Sequence, residues 1–400
     1  MRILATMTRK NFLTRSVWIL SFVSLFNDIA SEMLYPVMPV FLKSIGFSIL
    51  VIGILEGFAE AAAGLSKGYF GELSDKKGMR VPFIRVGYLL SALSKPLLVF
   101  FTNAYWVFTF RTADKIGKGL RTAARDALLS DEATPETKGR VFGFHRAMDT
   151  TGAFLGPAAA LLFLYFFPEQ YKTLFLIAFV PGIVAVSLTF FLKEKPHLSS
   201  KPGHQVTFIS FLRYWKKSPD EYKKLISGLL LFALFNSSDV FLLLKVKEAG
   251  LDDTYVIGAY IFYNLIYAIF SYPLGHLADR IGLKTVFIAG LFLFAIVYGG
   301  MAISNSLYVF LTLFFLYGIY SAATEGITKA WISNIVSKEE TATAIGTFTA
   351  FQSICTMLAS SLAGLIWYKA GAAATFGLSA VIVTGVAIYF LIAFSARKIS

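Results

Sequence analysis

The chain has 400 residues, of which 56% are hydrophobic, 16% aromatic and only 15% charged. A soluble domain is about a quarter charged and under half apolar, so a membrane-embedded chain is expected and an ordinary globular core is excluded. The single Cys355 rules out an internal disulfide and a cysteine-rich metal site, and the net charge of +13 has to be explained by where the bases sit.

A membrane helix needs about 20 mostly apolar residues. On that scale twelve spans are predicted: 17–42, 48–73, 82–101, 105–128, 140–167, 172–192, 223–246, 254–278, 284–303, 307–333, 340–368 and 373–395. Arg2, Arg9, Lys10 and Arg15 precede the first span, which is long and has no small-residue cleavage site, so it is read as retained rather than as a secretory signal. The longest polar stretch divides the spans six and six. The predicted organisation is a bundle over 1–192, a basic linker over 193–222 and a second bundle over 223–400.

The bases follow the connections. One side carries Lys76, Lys77, Arg80, Lys138, Arg140, Lys193, Lys195, Lys201, Arg213, Lys216, Lys217, Arg280, Lys284, Lys338, Arg397 and Lys398, while the other shows Lys43, Lys172, Lys245, Lys247 and Lys369. That bias predicts both termini in the cytoplasm and accounts for the net charge without nucleic acid.

The halves also repeat. "SLFND" at 24–28 is echoed by "ALFNSSD" at 233–239, with Asn27 and Asn236 in matching places. "GELSDKKGMR" at 71–80 is echoed by "GHLADRIGLK" at 275–284, each after the second span of its half. Gly78 and Gly282 permit a tight turn, and Asp75 and Asp279 are suited to accept hydrogen bonds from helix ends and bases.

This repeated loop resembles the loop between helices 2 and 3 of the major facilitator superfamily, matching at Gly71, Asp75, Gly78 and Arg80 and again at Gly275, Asp279, Arg280 and Gly282. The resemblance covers essentially the whole chain. It implies an all-α fold of twelve transmembrane helices in two pseudo-symmetric six-helix bundles, with the loops latching the cytoplasmic side and governing a change of state. Gly152, Gly156 and Pro157 in the fifth span resemble the family's antiporter motif, which implies export; close packing of two helix backbones needs the same small residues, and both readings stand. Arg111 resembles an arginine tied to proton coupling in the family. Where the family places Gln-Gly, this chain has Asp114 and Lys115.

The fourth span is unusual in its charge. Arg111, Asp114, Lys115, Lys118, Arg121, Arg125 and Asp126 fall within about 140° on a helical wheel, so the span turns charge toward protein or water rather than lipid. Taking Tyr105 as the outer end, Arg111 lies about 9 Å down and Asp114 and Lys115 about 14–15 Å. In the first span Asp28 and Glu32 share a face and rise about 17 and 22 Å above Val17. In a hydrocarbon core about 30 Å thick, Glu32 is expected level with Arg111, and Asp28 with Asp114 and Lys115, in an ion-pair network across a cavity. The seventh span offers Asn236 and Asp239 from the opposite half, the tenth Glu325 and Lys329 low in the path, and the second Glu56, Glu60 and Lys67 on one face. His145, Arg146 and Asp149 cluster in the fifth, where His145 is either a proton relay or a structural histidine.

No phosphate loop occurs, the four histidines lack metal-ligand spacing, and no nucleophile elbow is present. An enzyme, a metal site and a cofactor are therefore not expected. The expected protein is a monomeric secondary transporter of a bacterial inner membrane, whose partners are a small-molecule substrate, protons and the lipid bilayer. Proton-coupled efflux of an anionic or zwitterionic solute is the first reading. The alternatives are proton-coupled uptake of an anionic nutrient or metal chelate such as a siderophore, and a non-transporting membrane sensor.

Overall fold

The computed structural model describes residues 13–101, 103–194, 207, 210–250 and 253–394, so Arg2, Arg9, Lys10, much of the 193–222 linker and Arg397 lie outside the described residues. Among the described residues every regular element is helical. Helices α1 (Arg15–Glu32) and α2 (Met38–Ser44) fill the first expected span. The next five are α3 (Ile49–Lys77), α4 (Val81–Phe100), α5 (Ala104–Asp131), α6 (Lys138–Phe166) and α7 (Tyr171–Thr189). A turn at Ser210–Arg213 and the short α8 (Tyr214–Lys217) lead to α9 (Asp220–Ala233) and α10 (Val240–Glu248), which share the seventh span. Then come α11 (Asp253–Ile281), α12 (Leu283–Ile303) and α13 (Leu307–Ile335). Last is α14 (Thr341–Ala393), which covers two spans and is broken at Gly371 (φ 82°).

Local chemistry sets the ends. The side chains of Thr14, Ser48 and Asn103 accept hydrogen bonds from the N–H groups of Val17, Val51 and Trp106, capping α1, α3 and α5. Helix α3 stops at Gly78, whose φ of 61° lets the N–H groups of Gly78 and Met79 turn back onto the carbonyls of Asp75 and Ser74. Arg85 donates to the carbonyls of Thr189 and Leu192 at the end of α7, and Lys284 donates to Phe394 O at the end of α14. Each is a cation at a helix C-terminus, where the dipole favours it.

The first and seventh spans are both interrupted, between Glu32 and Met38 and between Ala233 and Val240. Pro36 supplies no N–H in the first break. In the second, Asn236 donates to the Tyr320 hydroxyl (3.1 Å), while Asp239 accepts from the hydroxyls of Tyr263 and Tyr317 (2.5 Å each). Broken helices at membrane depth need such internal partners.

Apolar packing falls into one large cluster drawn from residues 214–394, two clusters drawn mainly from residues 13–192, and a small one of Ala123, Ala127 and Ala342 that joins α5 to α14. Large apolar side chains such as Tyr165, Phe166, Ile303 and Ile392 remain on the outer surface. Among the described residues six helical segments are long and apolar enough to cross a membrane by length and composition alone. Between the halves, α6 lies along α11 and α3 along α14. The first crossing is possible because Gly139 and Gly275 meet backbone to backbone: a Cβ on either would overlap the other's carbonyl oxygen.

Candidate functional site

Two carboxylates tie the halves together at one end. Asp75, at the end of α3, accepts from the N–H and hydroxyl of Thr343 (2.5 and 2.6 Å) at the start of α14 and pairs with the fully buried Arg80 (2.5 Å). Asp279, at the end of α11, accepts from the N–H groups of Gly139 and Arg140 (2.7 and 2.9 Å) at the start of α6, and from Arg140 Nε (2.9 Å). Each carboxylate sits on the N-terminus of a helix from the other half, where exposed N–H groups and the helix dipole favour negative charge. Lys138 adds a hydrogen bond to Ser333 O (2.6 Å). Arg280, in the second copy of the loop, stays on the surface.

Beyond this latch the halves enclose a cavity of about 320 Å³. Ten of its nineteen lining residues are charged types, and Ala153 is the one aliphatic residue among them. The acids are Asp28, Glu32, Asp149 and Glu325, and the bases are Lys67, Lys118, Arg121, Arg125, Arg146 and Lys329. Away from the latch, the side chain of Glu60 is 58% exposed and Tyr35 is 53% exposed.

The floor of the cavity is a chain of charges that crosses between the halves. From α13, Lys329 pairs with Asp126 (2.8 Å), and Asp126 with Arg125 (3.0 Å). Arg125 reaches Asp149 (4.0 Å), Asp149 pairs with Arg146 (2.7 Å), and Arg146 returns to Glu325 of α13 (3.7 Å). Ser24 of α1 donates to Asp149 (2.5 Å) and accepts from Arg125 (3.2 Å), and Arg146 also donates to the Tyr267 hydroxyl of α11. His145 is buried beside this chain in a void of about 10 Å³, its Nε2 without a partner. Asp28 faces Asp149 carboxyl to carboxyl, which is possible because α1 and α6 cross closely. A Cβ on Gly152 would lie 2.6 Å from Leu25 O and one on Gly156 2.7 Å from Met33 N, while Pro157 sits inside α6 beside them.

The ion-pair network expected between the first and fourth spans is not the one formed. Arg111 pairs with Glu56 through two bonds of 2.8 Å, Lys115 with Glu60, and Asp114 with Lys95 (3.7 Å) and Arg111 (3.5 Å). These partners come from α3 and α4. The close contacts of Gly119 with Ser66 and of Gly117 with Gly87 turn the upper face of α5 toward those helices and away from α1. Asn236 and Asp239 likewise stay in the break between α9 and α10 and are not among the residues lining the cavity.

The Major Facilitator Superfamily profile matches residues 20–263 and 225–399, which together span nearly the whole chain. The chain belongs to the major facilitator superfamily. An MFS-type transporter of Methanocaldococcus jannaschii is 36% identical over 361 residues, covering 89% of both chains. A multi-drug resistance efflux pump PmrA homolog of Lactococcus lactis is 21% identical over 360 residues, covering 86% of this chain and 87% of the relative. The crystal structure of the human organic anion transporter MFSD10 superposes with a TM-score of 0.77 at 16% identity, over 94% of this chain and 99% of that one, a likeness of fold. This chain is thus a multi-pass membrane transporter of a small molecule and not an enzyme.

In this superfamily member Tyr260, Tyr263, Asn264 and Tyr267 form part of the cavity wall that the sequence reading missed. They recur at helical spacing on one face of α11. Their signal was masked because tyrosine is counted with the apolar residues in the composition, although its hydroxyl needs a partner when buried.

Proposed function

We propose that this transporter is a proton-coupled antiporter that exports an anionic or zwitterionic organic solute from the bacterial cytoplasm. It works as a monomer with both termini inside, by alternating access of the bundles 1–192 and 223–400 joined by the linker 193–222. The observation that carries the reading is the charged cavity between the halves, floored by an ion-pair chain that must break for the cavity to open on the latch side. The latch end also bears the excess of lysine and arginine, and the positive-inside rule assigns that end to the cytoplasm. In that orientation the cavity opens outward.

Coupling rests on Asp28 and Asp149. Two facing carboxyls repel when both are ionised. A proton taken up by the pair therefore changes the pull of Asp149 on Arg125 and Arg146, and through Arg146 on Glu325 and Tyr267 of the other half. Protonation on one side and release on the other then bias the two states in opposite directions. The lining argues against a lipophilic cargo, which would have to desolvate charged groups without pairing them. Export draws on the tight Gly152–Gly156 crossing that resembles the antiporter motif, and is consistent with the distant efflux relative.

Uptake of an anionic nutrient or metal chelate is the second reading, favoured by an outward-open cavity that holds more bases than acids. Proteoliposomes with an imposed pH gradient separate the two: export requires solute and proton to cross in opposite directions, uptake in the same direction. A chain that binds solute without flux in either arrangement is a sensor, and that outcome overturns the proposal.

A further inference from the structure

Lys67 and Lys118 are placed side by side by two contacts that admit no side chain. Gly119 of α5 packs on Ser66 and the backbone of Lys67, which holds α5 against α3 at this level, and Lys118 and Lys67 line the same cavity within reach of each other's charge. On the other flank of α3, Gly346 of α14 meets the carbonyl of Lys67; a Cβ there would lie 2.5 Å from that oxygen. Lys67 thus stands on the seam between the halves, with Thr349 and Gln352 of α14 lining the same cavity.

Every other base of the cavity has a local partner. Lys329 holds Asp126, Arg125 holds Asp126 and Asp149, Arg146 holds Asp149 and Glu325, and Arg121 donates to Ser91 and stacks on Tyr88. Above them Lys115 is neutralised by Glu60. Among the described residues the ammonium groups of Lys67 and Lys118 have neither a hydrogen-bond nor an ion-pair partner. Two like charges in the wall of a 320 Å³ cavity, of a size suited to small molecules, with Glu60 and Glu32 near them but bonded to neither, leave donors free for an anion.

We propose that Lys67 and Lys118 bind a compact oxyanion group of the transported solute, a carboxylate or a phosphate, while Thr349 and Gln352 supply neutral hydrogen bonds from the opposite half. The inference rests on the transporter reading above and deepens it by naming the groups that hold the cargo. Because the anion touches α3 and α5 on one side and α14 on the other, it bridges the seam whose opening changes the exposed face. Glu32, which lines the same cavity, is then available to a cationic end of a zwitterion.

The test is binding of citrate and of phenyl phosphate to detergent-purified protein, read by thermal unfolding and by intrinsic tryptophan fluorescence. Benzyl alcohol serves as the uncharged probe and tetraphenylphosphonium as the cationic one. Saturable binding of at least one anion is expected, weakened about tenfold or more in Lys67→Gln and in Lys118→Gln, since a hydrogen bond to a charged group is worth roughly 1.5–3 kcal/mol. Lys118→Arg is expected to retain binding, which guards against a loss of fold in the Gln variants, and Lys118→Glu to exchange anion binding for tetraphenylphosphonium binding. Equal anion binding in wild type and in the Lys67→Gln/Lys118→Gln double variant overturns the site, as does binding of tetraphenylphosphonium alone to wild type. Flux in proteoliposomes separates the two layers. Anion binding without flux leaves the site and removes the transporter mechanism; pH-driven flux of cations alone does the reverse.

Discussion

Asp279→Asn isolates what the latch contributes to the balance of states. In the structure one oxygen of Asp279 accepts from Gly139 N–H (2.7 Å), and the other accepts from both Arg140 N–H and Arg140 Nε (2.9 Å each). An asparagine keeps one acceptor and turns an amide NH₂ toward Arg140, so two charge-assisted bonds are lost. At roughly 1.5–3 kcal/mol each, discounted because the Arg140 side chain is 25% exposed, the latched state loses about 2–4 kcal/mol. The opened state, in which Asp279 and α6 are apart, is untouched. The ratio of latched to opened protein should fall about 30- to 700-fold. The assay places a single cysteine at Ala153, in the cavity wall, in a Cys355→Ser background. A membrane-impermeant maleimide is applied from each face of oriented vesicles. Wild type is expected to react from the face opposite the latch, and Asp279→Asn from the latch face. Equal reactivity of wild type and variant from the face opposite the latch would refute the reasoning.

Three further outcomes follow from particular contacts. Gly156→Leu drives a side chain into the backbone of α1, 2.7 Å from Met33 N for the Cβ alone; overpacking of this kind costs about 1–3 kcal/mol, read as a lower unfolding temperature, and an unchanged temperature would mean the helices are not in contact. Glu56→Gln should destabilise the protein by leaving Arg111 with only the longer contact to Asp114 (3.5 Å), and adding Arg111→Gln should recover part of the loss, with a coupling of about 1–3 kcal/mol in a double-mutant cycle; both variants should keep pH-driven flux, which loss of coupling would contradict. Glu340, in the turn before α14, has its carboxyl raised above the ordinary glutamate value by burial and then by the nearby Asp75 charge. An acid shifted upward in the folded state stabilises it below the ordinary value and loses that contribution as pH rises through the raised one. Glu340→Gln should therefore strengthen the latch at neutral pH and leave it unchanged near pH 4, as measured by the same cysteine reactivity.

Much of the architecture was legible because apolar length and repetition are linear signals. Each expected span holds helix, and the repeated loops place Asp75 and Asp279 on matching helix ends. The partners of the fourth span were not legible. A rise of 1.5 Å per residue gives the depth of Arg111 but not the direction it faces; that direction is set by Gly117 and Gly119, whose contacts with Gly87 and Ser66 press α5 onto α4 and α3. The same limit hid the pairing of Asp28 with Asp149, which depends on how closely Gly152 lets α6 approach α1. The tyrosine face of α11 escaped because composition cannot distinguish a ring in lipid from one lining water.

The central claim, that a proton on the Asp28–Asp149 pair drives the change of face, is tested most directly with Asp149→Asn in proteoliposomes. Solute exchange without a gradient and solute accumulation under a pH gradient are measured on the same preparation. The account predicts that wild type accumulates solute and stops when a protonophore collapses the gradient, while the variant still exchanges solute but no longer accumulates it. Accumulation by Asp149→Asn at the wild-type level, still abolished by the protonophore, would contradict it.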